Sequence, residues 1–393
     1  MNFYKSIAST FVSKVLVSVL GLLVVILVSR ELGAEGRGTI GLMMSAIALL
    51  QLFCDFGSNS SIINLSYTHS QRNLWLSALV WVAGVCVASY FIIFFIKGVK
   101  YIYLVPPFAL LYSIVNTHCL LLMGNRRVNR RNIVLLLVPV GLCSGFYLLF
   151  RATPLGMDAY PAALFIALMI SVVISYALVA DRLERTVPFA FEKVVLKQGF
   201  WVQGGQAIQF LNYRINFFII AIILDEASLG LYNNAITLVE SIWILGHSIG
   251  QMQHMRILNT EDEQEHLTLS NRVILVNFGG SLLLMCILML LPSSFWVFLF
   301  SKDFKDLGQL FIYLGPGVLC FSISNIINHF LHARNAFKSI ALANLAGLIV
   351  GVSCSLVMIP AMGLKGACIA WSNGLFCSMM VYLFVYKRYF RIS

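Results

Sequence analysis

The sequence predicts an all-α integral membrane protein, with about twelve transmembrane helices in two pseudo-symmetric six-helix lobes around a central cleft. The first observation is composition: of 393 residues, 60% are hydrophobic and 11% are charged, and the mean hydropathy is +0.88. A soluble domain carries about 25% charged residues. The second observation is the number of long apolar runs, and the third is a weak internal repeat. No water-soluble core could absorb so much apolar surface.

Apolar runs long enough to cross a bilayer, which takes roughly 20 residues, follow one another along the whole chain. They lie at 7–29, 38–64, 74–96, 101–123, 132–150, 160–180, 199–223, 229–255, 273–300, 308–333, 338–360 and 364–386. The first run is too long for the apolar region of a cleavable signal, and no small-residue cleavage site follows it at the right distance. We therefore predict that it is retained as the first helix.

The positive charges predict the orientation of these helices. With the N-terminus inside, seventeen Lys and Arg residues fall in the predicted cytoplasmic segments and eight in the outer loops. Because cytoplasmic loops carry the excess of Lys and Arg, both termini are predicted to be cytoplasmic. The net charge of +11 is explained by this rule, and no nucleic-acid partner is expected.

The longest hydrophilic segment, residues 181–197, lies near the middle of the chain. We predict an N-terminal six-helix lobe at residues 1–185 and a C-terminal six-helix lobe at residues 186–393. Placing Gly36 over Gly230 superposes the first hairpin on the hairpin of spans seven and eight, and in a second alignment residues 112–116 find a counterpart in residues 321–325. Because each half begins and ends inside, the repeats are parallel.

Two charges stand inside the hairpin of spans seven and eight. Arg214 lies thirteen residues before Ala227, and Glu240 lies thirteen residues after it. Two residues that lie equally far from the turn between two helices lie at the same depth in the membrane. Charged side chains deep in a membrane normally pair with one another and mark a transport pathway. Lys14 and Asp55 are spaced in the same way about the first outer turn, so they too are predicted to meet. For each pair, a structural bridge and a substrate site remain open alternatives.

Amide side chains lie on one face of the seventh span. Gln209, Asn212 and Asn216 follow one another at steps of three and four residues, which places them on the same side of a helix. They can hydrogen-bond a sugar or hold neighbouring helices together. Arg214 lies almost opposite Asn212, because each residue turns the helix by about 100°. One of these two faces must therefore pack within its own lobe.

Four stretches carry a resemblance to a known family. They are Ser29-Arg-Glu-Leu-Gly-Ala-Glu-Gly-Arg-Gly38, Gln209-Phe-Leu-Asn-Tyr-Arg-Ile-Asn216, Leu229-Gly-Leu-Tyr232 and Pro360-Ala-Met-Gly-Leu-Lys-Gly-Ala367. In their order and spacing they resemble bacterial polysaccharide-biosynthesis membrane proteins, the Wzx-type flippases of O-antigen and other lipid-linked oligosaccharides. That family belongs to the multidrug/oligosaccharidyl-lipid/polysaccharide (MOP) exporter superfamily, together with the MATE transporters. The resemblance covers essentially the whole chain.

The resemblance implies a MATE-like fold and a function. The protein would translocate an undecaprenyl-diphosphate-linked oligosaccharide, a repeat unit of O-antigen, capsule or exopolysaccharide, from the inner to the outer leaflet of the bacterial cytoplasmic (inner) membrane by alternating access. Lys14 and Arg214 would attract the diphosphate, while Gln209, Asn212 and Asn216 would bind the sugar. A polysaccharide polymerase and a chain-length regulator are the implied protein partners.

No cofactor and no metal site are expected. The nine cysteines all lie inside predicted spans without a C-x-x-C pair, and they are interpreted as packing residues. No nucleotide-binding loop is present in the sequence, so an H+ or Na+ gradient, the membrane potential or substrate supply would drive the cycle. The histidines at 118, 247, 254 and 329 could relay protons or could hydrogen-bond a neighbouring helix.

Two other classes of function are open to a membrane protein of this composition. A MATE-like multidrug or cation antiporter is the closer alternative, although Lys14 stands in the first helix where related multidrug exporters commonly have an acidic residue. A membrane enzyme of the same pathway, such as a polymerase or a glycosyltransferase, needs an acid, a base or a metal site, usually on a sizeable loop. The predicted outer loops are short, so the sequence favours a transporter over an enzyme.

Overall fold

The computed structural model describes residues 3–95, 98–183, 188, 190–260 and 262–390, without the side chains of 3–11, 198, 200–206, 245 and 389–390. The described residues form helices and turns and contain no strand, so the all-α class is confirmed. The helices are α1 Phe3–Cys54, α2 Ser61–Leu65, α3 Gln71–Ile93, α4 Val105–Gly124, α5 Val128–Ala152, α6 Ala159–Val179, α7 Lys193–Ile223, α8 Glu226–Leu258, α9 Glu263–Leu290, α10 Ser293–Leu299, α11 Leu307–Ala333, α12 Phe337–Met362 and α13 Leu364–Phe390.

Nine helices in the described part of the chain are long and apolar enough to cross a membrane. The first of them, Val12–Cys54, has 43 residues, and it is broken at Gly33, where φ is 66° and ψ is −167°. α7 contributes only a shorter apolar segment, Ala207–Ile223. The protein is therefore a multi-pass membrane protein, and the count of twelve spans stays a prediction.

Two predicted spans end earlier in the structure than the apolar runs indicate. The run 38–64 leaves the helix after Cys54, because Asn59 binds nearby backbone: its amide nitrogen donates to the Phe56 carbonyl at 2.9 Å and its oxygen accepts from the Ser61 amide at 3.0 Å. Such local bonds compete with helix formation. The run 273–300 is divided at Pro292, which separates α9 from α10 because proline lacks an N–H and disfavours helix before it.

The chain divides into two compact units. Unit 1 consists of Met1–Leu32 and Thr39–Gln206, and unit 2 consists of Gly33–Gly38 and Ala207–Ser393. Residues 186–206, which were assigned to the second lobe by sequence, lie in unit 1, and the short segment Gly33–Gly38 lies in unit 2. The core of unit 1 is formed by buried apolar residues such as Met43, Phe108 and Phe146. A core cluster of unit 2 surrounds Ile327 and Phe330.

The segment Gly33–Gly38 is held in unit 2 by polar side chains. The Ala34 amide donates to Asp303 Oδ2 at 3.1 Å. Arg37 is 7% exposed and donates from Nε to Asn234 Oδ1 at 2.8 Å and from Nη2 to Asn233 Oδ1 at 3.2 Å. A buried guanidinium requires such acceptors. These bonds give Arg37, in one of the stretches that resemble the flippase family, a structural role.

Gly38 and Gly230 approach each other too closely for any side chain. A Cβ on Gly38 would lie 1.8 Å from the Glu226 carbonyl oxygen, and a Cβ on Gly230 would lie 1.9 Å from the Ala34 carbonyl oxygen. The contact is reciprocal, since each Cβ would also lie 3.1 Å from the other glycine's nitrogen. The two helix backbones are therefore in direct contact at these two glycines.

Ion pairs join helix ends that the orientation rule assigns to the same side. In unit 1, Arg127 donates to both carboxylate oxygens of Asp181, at 2.7 and 2.6 Å, and these bonds raise the pKa of Arg127. In unit 2, Arg334 contacts Glu263 at 2.6 Å. Exposed pairs of this kind contribute little to stability, but they fix which helix ends are neighbours.

Candidate functional site

Unit 2 contains a partly open cavity, whose empty space, counted together with the solvent at its mouth, is about 310 Å³. Apart from Leu375, its lining is made of amide, hydroxyl and aromatic side chains, and we call it the amide cavity. The lining residues are Gln209, Asn212 and Tyr213 of α7, Phe321, Ser324, Asn325 and Asn328 of α11, Asn344 of α12, and Leu375, Ser378 and Tyr382 of α13. None of these described lining residues carries a carboxylate, an ammonium or a guanidinium. The cavity is therefore suited to a neutral ligand rich in hydroxyl and amide groups.

Asn325 presents an unused donor in this cavity. The residue is 3% exposed, and its side-chain nitrogen has no hydrogen-bond partner among the described residues. A buried amide left without a partner costs about 1–3 kcal/mol. A ligand oxygen that accepts from Asn325 would remove this cost, so the residue is a candidate ligand contact.

Tyr382 connects two further amides of the cavity. Its hydroxyl lies 3.3 Å from Asn328 Oδ1 and 3.2 Å from Asn344 Oδ1. A phenol has one proton, so it can fully satisfy only one of these two oxygens at a time. The other oxygen is available to a ligand hydroxyl. Gln209 donates to the Tyr213 hydroxyl at 2.9 Å, so these two lining side chains are hydrogen-bonded to each other.

An aromatic cluster supports one side of the cavity. The ring centroids of Tyr213 and Phe321 lie 5.7 Å apart, and Trp243 stacks on Phe321 at 4.1 Å. Trp371 stacks in turn on Trp243 at 5.9 Å and 9°. Aromatic walls with a few placed polar groups are typical of ligand pockets, and they match the apolar face of a pyranose ring.

Arg214 and Glu240 form an ion pair away from the cavity lining. Arg214 Nη2 donates to Glu240 Oε2 at 2.7 Å, with the two side chains 25% and 26% exposed. The guanidinium also lies 4.9 Å from the centre of the Phe217 ring. Nε and Nη1 of Arg214 have no hydrogen-bond partner among the described residues. The pair is thus a bridge that leaves donors available for a phosphate oxygen.

The three predicted amides of α7 have different environments. Gln209 and Asn212 line the cavity, and Asn212 donates to Ser378 Oγ at 3.3 Å. Asn216 does not line it: its nitrogen donates to the Ala367 carbonyl at 3.1 Å and its oxygen accepts from Ser355 at 2.6 Å. Asn216 therefore connects helices, which is the structural alternative considered for this face.

Lys14 and Asp55 do not form the predicted pair. Lys14 is exposed, and the described ion pairs of unit 1 do not include it. Asp55 accepts from Asn116 Nδ2 at 3.4 Å, and Asn116 also donates to the Ser58 carbonyl at 3.1 Å. Asp55 directly follows the last residue of α1, Cys54, and its backbone amide donates to the Gln51 carbonyl at 2.8 Å.

Several cavity residues were not among the predicted site residues. Asn325 and Asn328 lie three residues apart on α11, and Ser378 and Tyr382 lie four apart on α13, so each pair shares a helix face. The internal repeat had already aligned Asn325 with Asn116, and that match was the available signal. The convergence of four helices on one cavity cannot be read from any single helix.

The described residues contain no group of three or more His, Cys, Asp or Glu side chains placed to hold a metal ion. The nine cysteines are all free thiols.

This fold is found in solved transporters of the MOP superfamily. An inward-facing multidrug resistance MATE family transporter of that superfamily matches with a TM-score of 0.78 and 15% identity, covering 95% of this chain and 94% of that one. The lipid II flippase MurJ, in an inward closed conformation, matches with a TM-score of 0.73 and 14% identity, over 96% and 87% of the two chains. A MOP superfamily transporter from Pyrococcus furiosus, described as having a binding pocket of reverse polarity, matches with a TM-score of 0.65 and 16% identity over 98% and 94%.

The class is thus a multi-pass membrane protein with the MOP-superfamily fold, as the sequence predicted. Within that class, the family model described as polysaccharide biosynthesis protein matches residues 3–252. The chain belongs to this polysaccharide biosynthesis protein family. No curated protein sequence matches it.

Proposed function

We propose that the protein is a flippase that moves an undecaprenyl-diphosphate-linked oligosaccharide from the inner to the outer leaflet of the bacterial cytoplasmic membrane by alternating access, with both termini cytoplasmic. The observation that carries the proposal is the amide cavity, whose unpartnered Asn325 donor and shared Tyr382 proton suit a sugar. Membership of the polysaccharide biosynthesis family supports the same substrate class. The fold similarity to a lipid II flippase supports the same kind of transport.

The two parts of such a substrate would meet different residues. Gln209, Asn212 and Asn325 bind the sugar through hydrogen bonds, and Tyr213 and Phe321, the two rings of the aromatic cluster that line the cavity, pack against its ring faces. Arg214 attracts the diphosphate through the nitrogens that Glu240 leaves unused, because guanidinium and phosphate geometries match. Lys14, exposed in unit 1, is the second candidate cation for the diphosphate. Asp55 is not assigned to it as a resting partner.

The test uses the purified full-length protein in proteoliposomes. A fluorescently labelled undecaprenyl-diphosphate oligosaccharide is added, and a membrane-impermeant quencher reports the leaflet that holds the label. Exchange between leaflets that depends on the protein supports the proposal. Exchange no faster than in protein-free liposomes contradicts it. Mass spectrometry of the recovered lipid checks that it is unchanged, because a polymerase or a glycosyltransferase would alter it covalently.

A MATE-like cation antiporter is the second candidate, and the similarity to a multidrug MATE transporter favours it. A cation site needs acidic groups, whereas the described lining of the amide cavity has none. Binding of tetraphenylphosphonium and of a soluble sugar diphosphate to the same preparation distinguishes the two. Sugar diphosphate binding without cation binding supports the flippase; the reverse result supports the antiporter.

A further inference from the structure

Four arginines of unit 1 converge at helix ends on the side predicted to be cytoplasmic. Arg126 and Arg127 connect α4 to α5, Arg130 lies in the first turn of α5, and Arg182 follows α6. Arg127 donates to both carboxylate oxygens of Asp181, at 2.7 and 2.6 Å. Arg130 and Arg182 also act on this carboxylate electrostatically. We call these four arginines the arginine surface.

The arginine surface carries an excess of positive charge. Among the described residues, Asp181 is the carboxylate that forms ion pairs with it, and Arg182 Nε lies 4.0 Å from Asp181 Oδ2. Arg127 and Arg130 both donate to the Leu178 carbonyl, at 3.2 and 3.5 Å. One carboxylate facing four guanidinium groups leaves a surface that attracts an anion.

Arg126 has a backbone conformation that is unusual for an arginine. Its φ is 55°, in the left-handed region that Gly and Asn enter most readily and that costs a longer side chain free energy. The side chain is exposed, and it makes no hydrogen bond or ion pair with the described residues. The turn itself gains nothing from an arginine here, so this guanidinium is available to a partner outside the chain.

The corresponding turn of unit 2 has a different residue at this position. The second alignment of the internal repeat places Asn335 over Arg126, and Asn335 has nearly the same φ, 56°. In both turns the next residue donates its amide to the carbonyl five positions earlier, at 2.8 and 2.9 Å. The arginine of the unit 2 turn, Arg334, contacts Glu263 at 2.6 Å. The turn geometry therefore does not account for the unpaired charge in unit 1.

An exposed apolar stripe continues from the arginine surface along α5. Ile133, Val140 and Tyr147 follow one another at steps of seven residues, which keeps them on one face of the helix, and all three are exposed. Arg130 lies about one turn before Ile133. Because a membrane helix presents such a face to acyl chains, a lipid whose headgroup contacts Arg130 can place its chain along this stripe.

α6 presents a second exposed apolar face beside the first. The two helices are in close contact, since a Cβ on Gly141 of α5 would lie 2.9 Å from Ala167 Cβ of α6. The exposed apolar residues of α6 include Ile166, Ile170, Val173 and Tyr176, and the chain then reaches Arg182. A soluble acidic protein would contact the arginines but not these faces, whereas a membrane lipid contacts both. The apolar faces therefore favour a lipid as the partner.

From these observations we propose that the arginine surface binds the phosphate of an anionic glycerophospholipid of the cytoplasmic leaflet, whose acyl chains lie along the exposed faces of α5 and α6. Guanidinium groups bind phosphate oxygens through paired, charge-assisted hydrogen bonds. Basic pockets at the cytoplasmic ends of membrane helices are typical headgroup sites. The site belongs to unit 1, whereas the amide cavity lies in unit 2, and the inference does not depend on the transported substrate.

Lipid binding is measured on the purified, delipidated full-length protein by native mass spectrometry. The probes are phosphatidylglycerol and phosphatidylcholine with the same acyl chains, so that only the headgroup differs. Wild type should retain phosphatidylglycerol in preference to phosphatidylcholine. Arg126→Asn and Arg130→Gln should each bind it about fivefold more weakly, because one arginine near an anionic headgroup contributes about this factor. Arg272→Gln removes an exposed arginine of α9 in unit 2; it is the matched control and should bind as wild type does.

Arg126→Asn separates lipid binding from folding. Because asparagine enters the left-handed region more readily than arginine, this variant should unfold at the same temperature as wild type or at a higher one while it loses phosphatidylglycerol. A lower unfolding temperature with unchanged lipid retention would assign Arg126 to the fold and overturn the inference. Equal retention of the two phospholipids by wild type would also overturn it.

Undecaprenyl diphosphate is the third probe, because it offers the same phosphate chemistry from another source. Weaker binding of phosphatidylglycerol in the arginine variants supports the inference, whether or not undecaprenyl diphosphate is also lost. Loss of undecaprenyl diphosphate alone would make the arginine surface a contact for the export substrate and refute the phospholipid site. A protein that fails to exchange the lipid-linked oligosaccharide but shows the expected phosphatidylglycerol binding would lose the proposed function and keep this site.

Discussion

Arg214 and Glu240 are joined at 2.7 Å although 26 residues separate them in the chain. Each side chain is about a quarter exposed, at 25% and 26%. The bridge ties α7 to α8 while Nε and Nη1 of Arg214 stay available, so structural and substrate roles can coexist in one pair. The two roles predict different outcomes for substitutions.

Arg214→Gln and Glu240→Gln should each lower the free energy of unfolding by about 1–3 kcal/mol, less than for a fully buried pair because of the partial exposure. The double variant that exchanges both charges, Arg214→Glu with Glu240→Arg, should regain much of the lost stability. Thermal unfolding in detergent measures the stability of all three variants. If the exchanged protein also regains export, Arg214 has no role in diphosphate binding; stable protein without export supports that role.

Asn325→Leu should raise the unfolding temperature, because it removes a buried donor that has no partner, a change worth about 1 kcal/mol. The same variant should lose binding of a soluble sugar diphosphate, measured by calorimetry. Asn277→Leu is the matched control, since Asn277 donates to the Ser322 carbonyl at 2.7 Å and its replacement should destabilise. Destabilisation of equal size in both variants would show that Asn325 is satisfied within the protein.

Gly230→Ala should strongly lower the unfolding temperature, because its Cβ would lie 1.9 Å from the Ala34 carbonyl oxygen and backbone cannot yield as a side chain does. Gly279→Ala, which would meet nothing within 4 Å, is the control on a helix of the same unit and should be neutral or slightly stabilising. Equal unfolding temperatures for the two variants would contradict the close helix contact.

Lys14→Ala should leave the unfolding temperature unchanged, because the side chain is exposed. It should weaken binding of an undecaprenyl-diphosphate sugar to the purified protein, while Lys14→Arg keeps the charge and retains binding. Calorimetric titration of the three proteins measures the difference. Equal affinities in Lys14→Ala and wild type would remove Lys14 from the diphosphate site.

Membrane orientation can be checked by labelling single cysteines in a cysteine-free background. Glu192→Cys and Arg388→Cys should react with an impermeant maleimide only after the cytoplasmic side is opened, whereas Lys365→Cys should react in intact cells. Glu192 and Arg388 on opposite sides of the membrane would contradict the arrangement of two parallel repeats.

The sequence predicted the fold class, because long apolar runs have few structural solutions in a bilayer. Most helix boundaries could also be predicted from the apolar runs. The end of the helix before residues 55–60 could not, because Asn59 interrupts the helix through side-chain hydrogen bonds that hydropathy does not detect. The face of α7 that carries Gln209 and Asn212 could be read from helical spacing. Asn344 and Tyr382 could not, because they reach the cavity from helices far along the chain. Equal spacing about a turn correctly predicted the pairing of Arg214 with Glu240, whereas the same spacing did not pair Lys14 with Asp55.

The segment Gly33–Gly38 has a consequence for how the protein is made. Arg37 is synthesised 197 residues before its acceptor Asn234, and Ala34 is synthesised 269 residues before Asp303, the acceptor of its amide. Unit 2 therefore cannot complete its contacts during translation until the ribosome has passed Asp303. A fragment beginning at Ala207 lacks this segment, and with it the hydrogen bonds that Ala34 and Arg37 make to Asp303, Asn233 and Asn234 in the intact chain.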